Sequence, residues 1–416
     1  MIFLVDCNNF YVSCERLFRP DLNYLPIVVL SNNDGCIISR SNEAKNLGIK
    51  MGEPIFKIRN LIKKNNVNVF SSNFELYGEI SNRIMKELKS FSNSVEVYSI
   101  DEAFLEIESQ NYNFIAVNIV NKIKYITGIP VSVGVGKTKT LSKIAASIAK
   151  KKHKNHFILD DIFKTKKILS ETPVKNIWGF GHKYSKFMIN NGIMTAENLI
   201  NTDRNWILNK MNINVLRTRE ELKGTSCYPI SSIFEPKKSI RVSRSFKKDI
   251  TSYKNLEKYI SDFAFLASKK LRNENRRAHQ LKVFIITNKF KYSNKSNYTG
   301  VMSHDFIVST DNYIEIIKYS ILILNKIFQQ GLNYKKAGVM LNKLSFKDQY
   351  QTSYLEPKKS PNIDSLMEKI DYLNNRFGRN KVLISTQNLD DKSKINRRNL
   401  SPNYLNSWND MPNLKI

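Results

Sequence analysis

Acidic residues interrupt two apolar, β-prone segments of this chain. Asp101 and Glu102 lie within the run 95–105, and Asp6 follows the apolar run 1–5. Because an unpaired carboxylate is among the most costly groups to remove from water, we expect a cation nearby. Mg²⁺ prefers one or two carboxylates together with substrate phosphates, so these acids would suit a phosphoryl-transfer site. A surface turn decorated with acids is the alternative.

Strand geometry limits how these acids can share one site. Adjacent residues on a strand point to opposite faces, so Asp101 and Glu102 can reach the same metal cluster only if the chain turns there. Asp101 is therefore the safer ligand. We predict a site for two Mg²⁺ ions, which would clamp the attacking and leaving oxygens of an in-line displacement. Its predicted ligands all offer oxygen: Asp6, Asp101, Glu102 and the backbone carbonyl near Cys7.

Three motifs, in this order, resemble the signatures of the Y-family, lesion-bypass DNA polymerases. They are residues 9–15 (Asn-Phe-Tyr-Val-Ser-Cys-Glu), 31–36 (Ser-Asn-Asn-Asp-Gly-Cys) and 99–104 (Ser-Ile-Asp-Glu-Ala-Phe). The second motif and residues 71–77 are typical of the UmuC-like subgroup. The resemblance runs from residue 1 to near the end of the chain and weakens after about residue 345.

The resemblance implies an α+β multidomain fold with the right-hand arrangement of a polymerase. The expected parts are a ferredoxin-like palm (1–20 and 75–165), small fingers (21–74), a helix-hairpin-helix thumb (166–236), a βαββαβ little finger (239–345) and a partner-binding C-terminal tail (346–416).

The resemblance also assigns contacts to a deoxynucleoside triphosphate. Phe10 and Tyr11 match the substrate-binding aromatics, and Tyr11 matches the steric gate, a ring beneath the sugar that excludes a 2′-hydroxyl. A packed core aromatic is the alternative. Lys45 and Lys143 match positions that reach the triphosphate, although a solvated helix lysine is the alternative for Lys143. Lys150 lies at the predicted helix end, where a cation suits the helix dipole regardless of function.

Two segments are expected to hold the phosphates of primer-template DNA. Residues 174–193 show a helix–glycine hairpin–helix pattern, which presents backbone N–H groups and a helix N-terminus to phosphate; a simple αα-turn can look alike. The predicted contacts there are Gly179, Gly181 and Lys183. Residues 239–344 follow a βαββαβ order, which is ferredoxin-like. Its predicted duplex-binding residues are Arg241 and Arg244, joined by Lys269, Lys270, Arg272, Arg276 and Arg277.

The composition favours a polyanionic partner. Lys and Arg number 66 against 37 Asp and Glu, a net charge of +29. Nucleic acid or a membrane surface would fit this charge, whereas the coding bias of an A/T-rich genome would explain it without any function. The four cysteines are scattered and predict neither a zinc site nor a disulfide framework. No apolar run is long enough to anchor the chain in a membrane, and we expect a cytoplasmic protein.

The tail contains a short segment with the layout of a sliding-clamp motif. Gln351 opens it, and Tyr354 and Leu355 form its hydrophobic pair. Thr352 stands where a larger aliphatic residue is usual, so weak docking is expected. An ordinary polar tail is the alternative. The resemblance also implies a UmuD-like accessory subunit as a partner.

These features together predict an error-prone translesion DNA polymerase. The primer 3′-hydroxyl would attack the α-phosphate under two magnesium ions, with no protein nucleophile. One alternative is a non-catalytic DNA-binding module, which the three acids disfavour. Another is a different palm enzyme such as a nucleotidyl cyclase, which would need neither the hairpin segment nor the second βαββαβ unit.

Overall fold

The structure is a computed structural model. It describes residues 1–152, 154–231, 236–288, 297–348, 361–377, 381–383, 397–405 and 407–411. The chain divides into two compact units, Met1–Phe234 with Ile395–Ile416, and Glu235–Lys394. No helix in the described ranges is long and apolar enough to cross a membrane. The proposed clamp segment 351–355 lies outside the described residues.

The first unit contains three groups of elements. In chain order its strands and helices are β1 (Ile2–Cys7), α1 (Phe10–Phe18), β2 (Ile27–Leu30), β3 (Ile37–Arg40), α2 (Asn42–Asn46), α3 (Arg59–Lys64), β4 (Asn68–Ser71), α4 (Phe74–Leu88), β5 (Val95–Val97), β6 (Glu102–Glu106), α5 (Tyr112–Thr127), β7 (Val131–Gly136), α6 (Lys139–Lys151), β8 (His156–Leu159), α7 (Ile162–Glu171), α8 (His182–Asn190), α9 (Ala196–Asn201), α10 (Arg204–Lys210) and α11 (Ile213–Lys223).

The palm is a sheet with the strand order β5-β6-β1-β7-β8. The elements β1, α4, β5, β6, α5 and β7 form a βαββαβ unit with β1 and β6 in the centre, so the ferredoxin-like palm is confirmed. Strand β1 buries both faces because its side chains alternate between two cores. Phe3 and Val5 pack towards α4 and α5, whereas Ile2 and Leu4 pack with Ala146 of α6.

Helix α6 lies very close to the strand that precedes it. A Cβ atom built on Gly134 would stand 2.2 Å from both the Ser142 carbonyl oxygen and the Ala146 backbone nitrogen. Glycine is therefore required there, because any side chain would push the helix off the sheet. The close contact fixes the lysines of α6 relative to the acids at the edge of the palm.

The fingers are a small sheet of order β3-β2-β4, covered by α2 and α3. Helix α2 begins at Ser41, whose side chain accepts a hydrogen bond from the Ala44 N–H group. The chain between β2 and β3, which contains the motif 31–36, forms a loop with a 3₁₀ turn at Asn32–Asp34. Residues 397–405 return to this region, where Leu400 forms a parallel bridge with Ser71 of β4.

The thumb helices α7 to α11 share a core with the apolar face of α6. The first helix of the predicted hairpin is shorter than expected, since Val174–Asn176 is a single 3₁₀ turn before α8. Gly179 adopts a positive φ of 85°, which supports the glycine turn between them.

The second unit has the predicted βαββαβ succession. Its elements are β9 (Ser239–Ile250), α12 (Tyr253–Asn273), β10 (Arg276–Thr287), β11 (Thr299–Thr310), α13 (Tyr313–Ile327), β12 (Tyr334–Phe346) and α14 (Pro361–Arg376). The sheet order is β11-β10-β12-β9, so the second and fourth strands are central. In the palm the first and third strands of the motif are central. The two βαββαβ units therefore differ in strand order. The ferredoxin-like prediction for the second unit is right in the succession of elements but wrong in strand order, which succession along the chain does not determine.

Candidate active site

The predicted acids meet at one edge of the palm. Strands β1 and β6 are antiparallel neighbours, and their register pairs Asp6 directly with Glu102. Asp101 lies in the bend that precedes β6, and its backbone carbonyl accepts a hydrogen bond of 2.9 Å from the Cys7 N–H group. The turn required for Asp101 and Glu102 to share one site is therefore present.

Each acid has a polar neighbour in the structure. Lys150 Nζ lies 2.5 Å from Asp6 Oδ1, and Lys143 Nζ lies 2.9 Å from Glu102 Oε2. The Ser99 hydroxyl donates a hydrogen bond of 2.6 Å to Asp101 Oδ1. Burial raises the pKa of Asp6 to about 7 against the opposing effect of Lys150, and the nearby Glu102 carboxylate raises it further. This edge therefore concentrates negative charge that needs cations.

The donors at this edge suit a divalent cation. Asp6 and Glu102 are carboxylates at paired strand positions, and oxygen is the ligand that Mg²⁺ prefers. Within the described ranges, no three His, Cys, Asp or Glu side chains are close enough together to hold a metal ion. Lys150 and Lys143 contact Asp6 and Glu102 in this structure. The acids therefore fit a metal by the chemistry of their oxygen donors, although their side chains are not gathered into a three-ligand cluster here.

A cavity of ≈ 470 Å³ opens in front of these acids. Its floor carries Tyr11 and its opposite wall comes from the fingers, with Ile38 and Met51 among the lining residues. The polar lining residues include two acids and three cations: Asp6, Asp101, Arg40, Lys45 and Lys150. The cavity therefore combines an acidic edge with a basic wall of Arg40, Lys45 and Lys150, and the two meet where Lys150 contacts Asp6.

The three cations of the wall act on one another. Burial lowers the pKa of Lys45, and the positive charges of Arg40 and Lys150 lower it further. Lys45 Nζ donates hydrogen bonds to Asn9 Oδ1 (2.6 Å) and Asn42 Oδ1 (3.1 Å). Because like charges gather here, the wall would be stabilised by a bound polyanion.

The predicted lysine of α6 is not in this cavity. Lys143 pairs with Glu102 and lies over the Tyr98 ring, with Nζ 4.6 Å from the ring centroid. Lys150 lines the cavity instead. The sequence interpretation of Lys150 as a helix-end charge is therefore incomplete. The signal was available, because seven residues are nearly two helical turns and place both lysines on one face.

Both predicted aromatics line the cavity. Tyr11 is half-buried on the first turn of α1, and its ring stacks on Tyr77 with centroids 4.6 Å apart and an interplanar angle of 19°. Phe10 is 3% exposed and belongs to the palm core. Phe10 is thus a packing residue that also borders the cavity, whereas the Tyr11 ring is open to a bound molecule.

A buried carboxylate on α1 was missed by the sequence interpretation. Glu15 is fully buried, and its Oε1 accepts hydrogen bonds from Tyr77 Oη (2.5 Å) and Ser401 Oγ (3.2 Å). Burial raises the pKa of Glu15 to about 7, although both hydrogen bonds oppose this shift. Burial and the adjacent Glu15 raise the pKa of Tyr77, so this phenol stays protonated at neutral pH.

Glu15 makes stability depend on pH. Its pKa rises from 4.5 to about 7 on folding, so the unfolded chain releases a proton that the folded chain keeps. Stability should therefore fall as pH rises from 4.5 to 7, by up to about 3 kcal/mol. We expect Glu15→Gln to be more stable than the parent at pH 8 and much closer to it at pH 5. Urea unfolding at both pH values checks this, and an equal offset at the two values would contradict it.

The predicted DNA contacts of the thumb lie around one helix N-terminus. Gly181 caps α8 without a side-chain hydrogen bond, and Lys183 is exposed in the first turn. Gly179 stands in the preceding turn. The geometry is that of a backbone phosphate site, because N–H groups at a helix N-terminus attract anions.

The basic residues of the second unit divide into two classes. Arg241 is exposed on the edge strand β9, with its guanidinium 4.3 Å from the Phe284 ring centroid. Arg272 forms a two-point ion pair with Asp371 of α14. The buried Arg276 donates to the carbonyls of residues 344 and 345. The buried Arg277 lies 3.5 Å from Asp311.

This division corrects the sequence interpretation. Arg272, Arg276 and Arg277 were expected to bind a duplex, but they are engaged inside the unit because burial of a guanidinium requires partners. Arg241 and Arg244 lie on β9, the edge strand. They stay predictions as DNA contacts.

The comparisons with known proteins agree with this fold. A model of the impB/mucB/samB family matches residues 5–147, the C-terminal domain of that family matches 237–354, and a domain of unknown function, DUF4113, matches 364–414. Protein UmuC of Salmonella typhimurium is 35% identical over 100% of both chains. Protein MucB of Escherichia coli is 33% identical over 99% of both chains.

A solved structure of a Y-family DNA polymerase chimera of Dbh and Dpo4 has the same fold. Its TM-score is 0.70 at 20% identity, and the match covers 83% of this chain and 99% of that chain. A palm with acids at the ends of adjacent strands, joined to fingers and a helical thumb, defines a right-hand nucleic-acid polymerase. The chain belongs to the impB/mucB/samB family of Y-family polymerases, as its motifs predicted. It is a DNA-directed DNA polymerase of the translesion type, in a family that depends on metal ions.

Proposed function

We propose that the cavity at the palm edge performs nucleotide addition across damaged template DNA. The primer 3′-hydroxyl attacks the α-phosphate of a deoxynucleoside triphosphate, and pyrophosphate leaves. The observation that supports this most directly is the cavity itself, which is lined by Asp6 and Asp101 together with three cations, one of which, Lys150, contacts Asp6. Positioning and charge neutralisation supply the catalysis, and no protein nucleophile is needed.

Two Mg²⁺ ions are the proposed cofactors. The side chains of Asp6, Asp101 and Glu102, with the Cys7 carbonyl, would hold them. The ions supply charge neutralisation at the reacting phosphate. This proposal rests on the oxygen donors of adjacent strands and on the resemblance of residues 99–104 to the family motif.

The basic wall is proposed to bind the triphosphate. Lys150 and Arg40 join Lys45 in this role, since all three line the same cavity. Lys143 was predicted for it, but its ion pair of 2.9 Å suits it better to orient Glu102. Tyr11, supported by Phe10, would lie beneath the sugar.

A primer-extension assay tests the function as a whole. The chain is incubated with magnesium and deoxynucleotides on an undamaged template and on one with an abasic site. Extension past the abasic site that stops when the metal is chelated is the expected result. Retained DNA binding with no extension on either template would favour the alternative of a non-catalytic DNA-binding module.

The duplex is proposed to be held through its phosphates. The thumb turn with Gly179, Gly181 and Lys183 gives one contact, and Arg241 with Arg244 gives another. Such contacts fix register without recognising sequence. The net charge of +29 agrees with this, and coding bias is the alternative explanation for that charge.

DNA affinity should fall steeply as salt is raised. Each neutralised phosphate releases counterions, so six contacts imply a log–log slope of roughly −5. We expect Lys183→Gln to make the slope shallower by about 1, because one phosphate contact is lost. Fluorescence anisotropy with primer-template DNA measures both slopes.

A matched control for this titration lies on the same helix of the thumb. Lys186→Gln removes an equal charge one turn further along α8, away from its N-terminus. A slope near zero for the parent's salt dependence would contradict binding through DNA phosphates. The net charge of the chain would then be explained by coding bias alone.

Protein partners are proposed from the family and from the tail. A UmuD-like accessory subunit follows from the resemblance to UmuC, and a sliding clamp from residues 351–355. Both would act with the polymerase on DNA in the cytoplasm. A flexible tether with a weak anchor can raise the local concentration at the primer end to the order of millimolar, so modest clamp affinity suffices.

Replacing the hydrophobic pair of the clamp segment should separate two activities. Tyr354→Ala with Leu355→Ala is expected to lower clamp-stimulated synthesis without changing clamp-free extension. The matched control is Tyr372→Ala with Leu373→Ala, a Tyr-Leu pair that is exposed on α14. Extension with and without a clamp measures both. Equal stimulation of the clamp-segment variant and the parent would remove the clamp from the proposal and leave the tail to the UmuD-like partner.

A further inference from the structure

The C-terminal residues 397–405 are built into the first unit. The Ser71 N–H group at the end of β4 donates a hydrogen bond of 2.8 Å to the Asn399 carbonyl, and the Asn399 N–H group donates one of 3.0 Å to Ser71 Oγ. Further along, Tyr404 stacks on Phe18 of α1, with ring centroids 4.5 Å apart. These residues fall in the part of the chain matched by DUF4113, to which no function is assigned.

Ser401 connects this segment to a buried network of polar side chains. Its hydroxyl donates to Glu15 Oε1 (3.2 Å) and accepts a hydrogen bond from Asn73 Nδ2 (3.1 Å). The same carboxylate oxygen accepts the Tyr77 hydroxyl at 2.5 Å. All four residues are less than 9% exposed. A buried network of this kind specifies one arrangement, because each unmade bond would leave a desolvated polar group.

The network ends beneath the cavity. The Tyr77 ring stacks on Tyr11, and Phe74 meets both rings edge to face, with centroids 5.9 Å from Tyr11 and 6.2 Å from Tyr77. Tyr77 is fully buried, so its ring forms the surface on which the Tyr11 ring rests. A connected path therefore runs from Ser401 through Glu15 and Tyr77 to Tyr11.

We propose that the C-terminal segment 397–405 sets the sugar selectivity of the polymerase. Ser401, Glu15 and Tyr77 are positioning residues that fix the Tyr11 ring at the height where a 2′-hydroxyl would collide. This inference rests on the proposed function of Tyr11. It gives the end of DUF4113 a role within the catalytic unit itself.

A merely structural attachment would behave differently. If the segment only closed the fold, loss of the Ser401 hydroxyl would lower the melting temperature and leave selectivity unchanged. If the network holds Tyr11 in place, the ring gains freedom when the network is cut. Ribonucleotides then enter more readily, while the deoxynucleotide, which has no 2′-hydroxyl to collide, is affected much less.

The test uses the full-length chain and compares kcat/KM for a deoxynucleotide and the matching ribonucleotide. Ser401→Ala and Tyr77→Phe each remove one hydrogen bond to Glu15, and Tyr77→Phe keeps the ring. Ser401→Ala also removes the hydrogen bond from Asn73, which is not part of the path. We expect the deoxy-to-ribo preference to fall about fivefold in each, the factor that one net hydrogen bond corresponds to. The change should come from a higher kcat/KM for the ribonucleotide.

Two further variants complete the design. Ser407→Ala removes a nearby hydroxyl, outside segment 397–405, that makes no helix-cap hydrogen bond, and should keep the parent preference. Ser401→Thr keeps a hydroxyl at the key position and should restore the preference. Thermal melts of each variant are recorded alongside.

Two results would overturn the inference, and they are distinguishable. A preference unchanged in Ser401→Ala and Tyr77→Phe, although Tyr11→Ala relaxes it, would leave the segment with a structural role only. A preference unchanged in Tyr11→Ala would remove the sugar assignment on which the inference rests.

Discussion

Asp101→Ala should reduce nucleotide addition at least about a thousandfold while primer-template binding stays close to that of the parent. Asp101 lies at the acidic edge of the cavity, where its carboxylate is proposed to hold catalytic metal. The proposed DNA contacts are on the thumb turn and on β9, which are different elements. Chemistry and binding should therefore separate, and parallel extension and gel-shift assays measure the two.

The control for this substitution is Asp160→Ala, which removes an exposed aspartate outside the cavity. It should extend primers at the parent rate. The metal proposal also predicts that any residual activity of Asp101→Ala requires a higher Mg²⁺ concentration than the parent does. Undiminished primer extension by Asp101→Ala would contradict the assignment of Asp101 as a metal ligand.

The acidic edge could be predicted from sequence because its signal is local. Apolar, β-prone runs that meet carboxylates identify strand ends. A bend at Asp101 allows its side chain and that of Glu102 to lie at the same edge of the sheet. The pairing of Asp6 with Glu102 depends on register across 96 residues of chain, yet it follows once both strands are placed in a ferredoxin-like palm. The cost of burying charge then indicates a cation site.

The lysines that neutralise these acids were harder to assign. Lys143 and Lys150 lie on one face of α6, but which of them meets the cavity depends on how closely the helix packs on β7. That distance is set by Gly134, whose importance no charge pattern reveals. The helix dipole alone explains a lysine at a helix end, so the charge pattern offered no reason to place Lys150 in the cavity as well.

The arginines of the second unit show another property that sequence does not determine, namely the partner of a charged side chain. A sequence gives the sign of a charge but not its partner. Arg272 was predicted to face DNA, but in the structure it forms an ion pair with Asp371, 99 residues away. Since α14 and its acid lie beyond the βαββαβ unit, no local pattern could connect them.

The C-terminal segment is the largest element that sequence analysis missed. It was predicted as part of a partner-binding tail, yet residues 397–405 pack against β4 and α1. Ser401 lies 386 residues from Glu15, and the burial of Glu15 is what makes their contact important. A carboxylate on an otherwise apolar helix face was the available signal, because such a group requires hydrogen-bond donors from elsewhere.

Tyr11→Ala is expected to admit ribonucleotides. The Tyr11 ring borders the cavity on the first turn of α1 and rests on the buried ring of Tyr77, so it cannot retreat from a 2′-hydroxyl. Forcing extra atoms into a packed site costs about 1–3 kcal/mol, so removing the ring should raise relative ribonucleotide incorporation about 5- to 150-fold. Competitive incorporation of ribo- and deoxynucleotides opposite one template base measures the ratio.

Two substitutions separate the ring from other properties of Tyr11. Tyr11→Phe keeps the ring and loses the hydroxyl, so it should discriminate as the parent does. Tyr125→Ala removes a tyrosine that is 91% exposed on α5 and should change nothing. If Tyr11→Ala raised both incorporations in proportion, the ring would act as a general barrier and not on the sugar. An unchanged ratio with a lower melting temperature would make Tyr11 a packing residue of α1, since its stacking on Tyr77 would then serve the core alone.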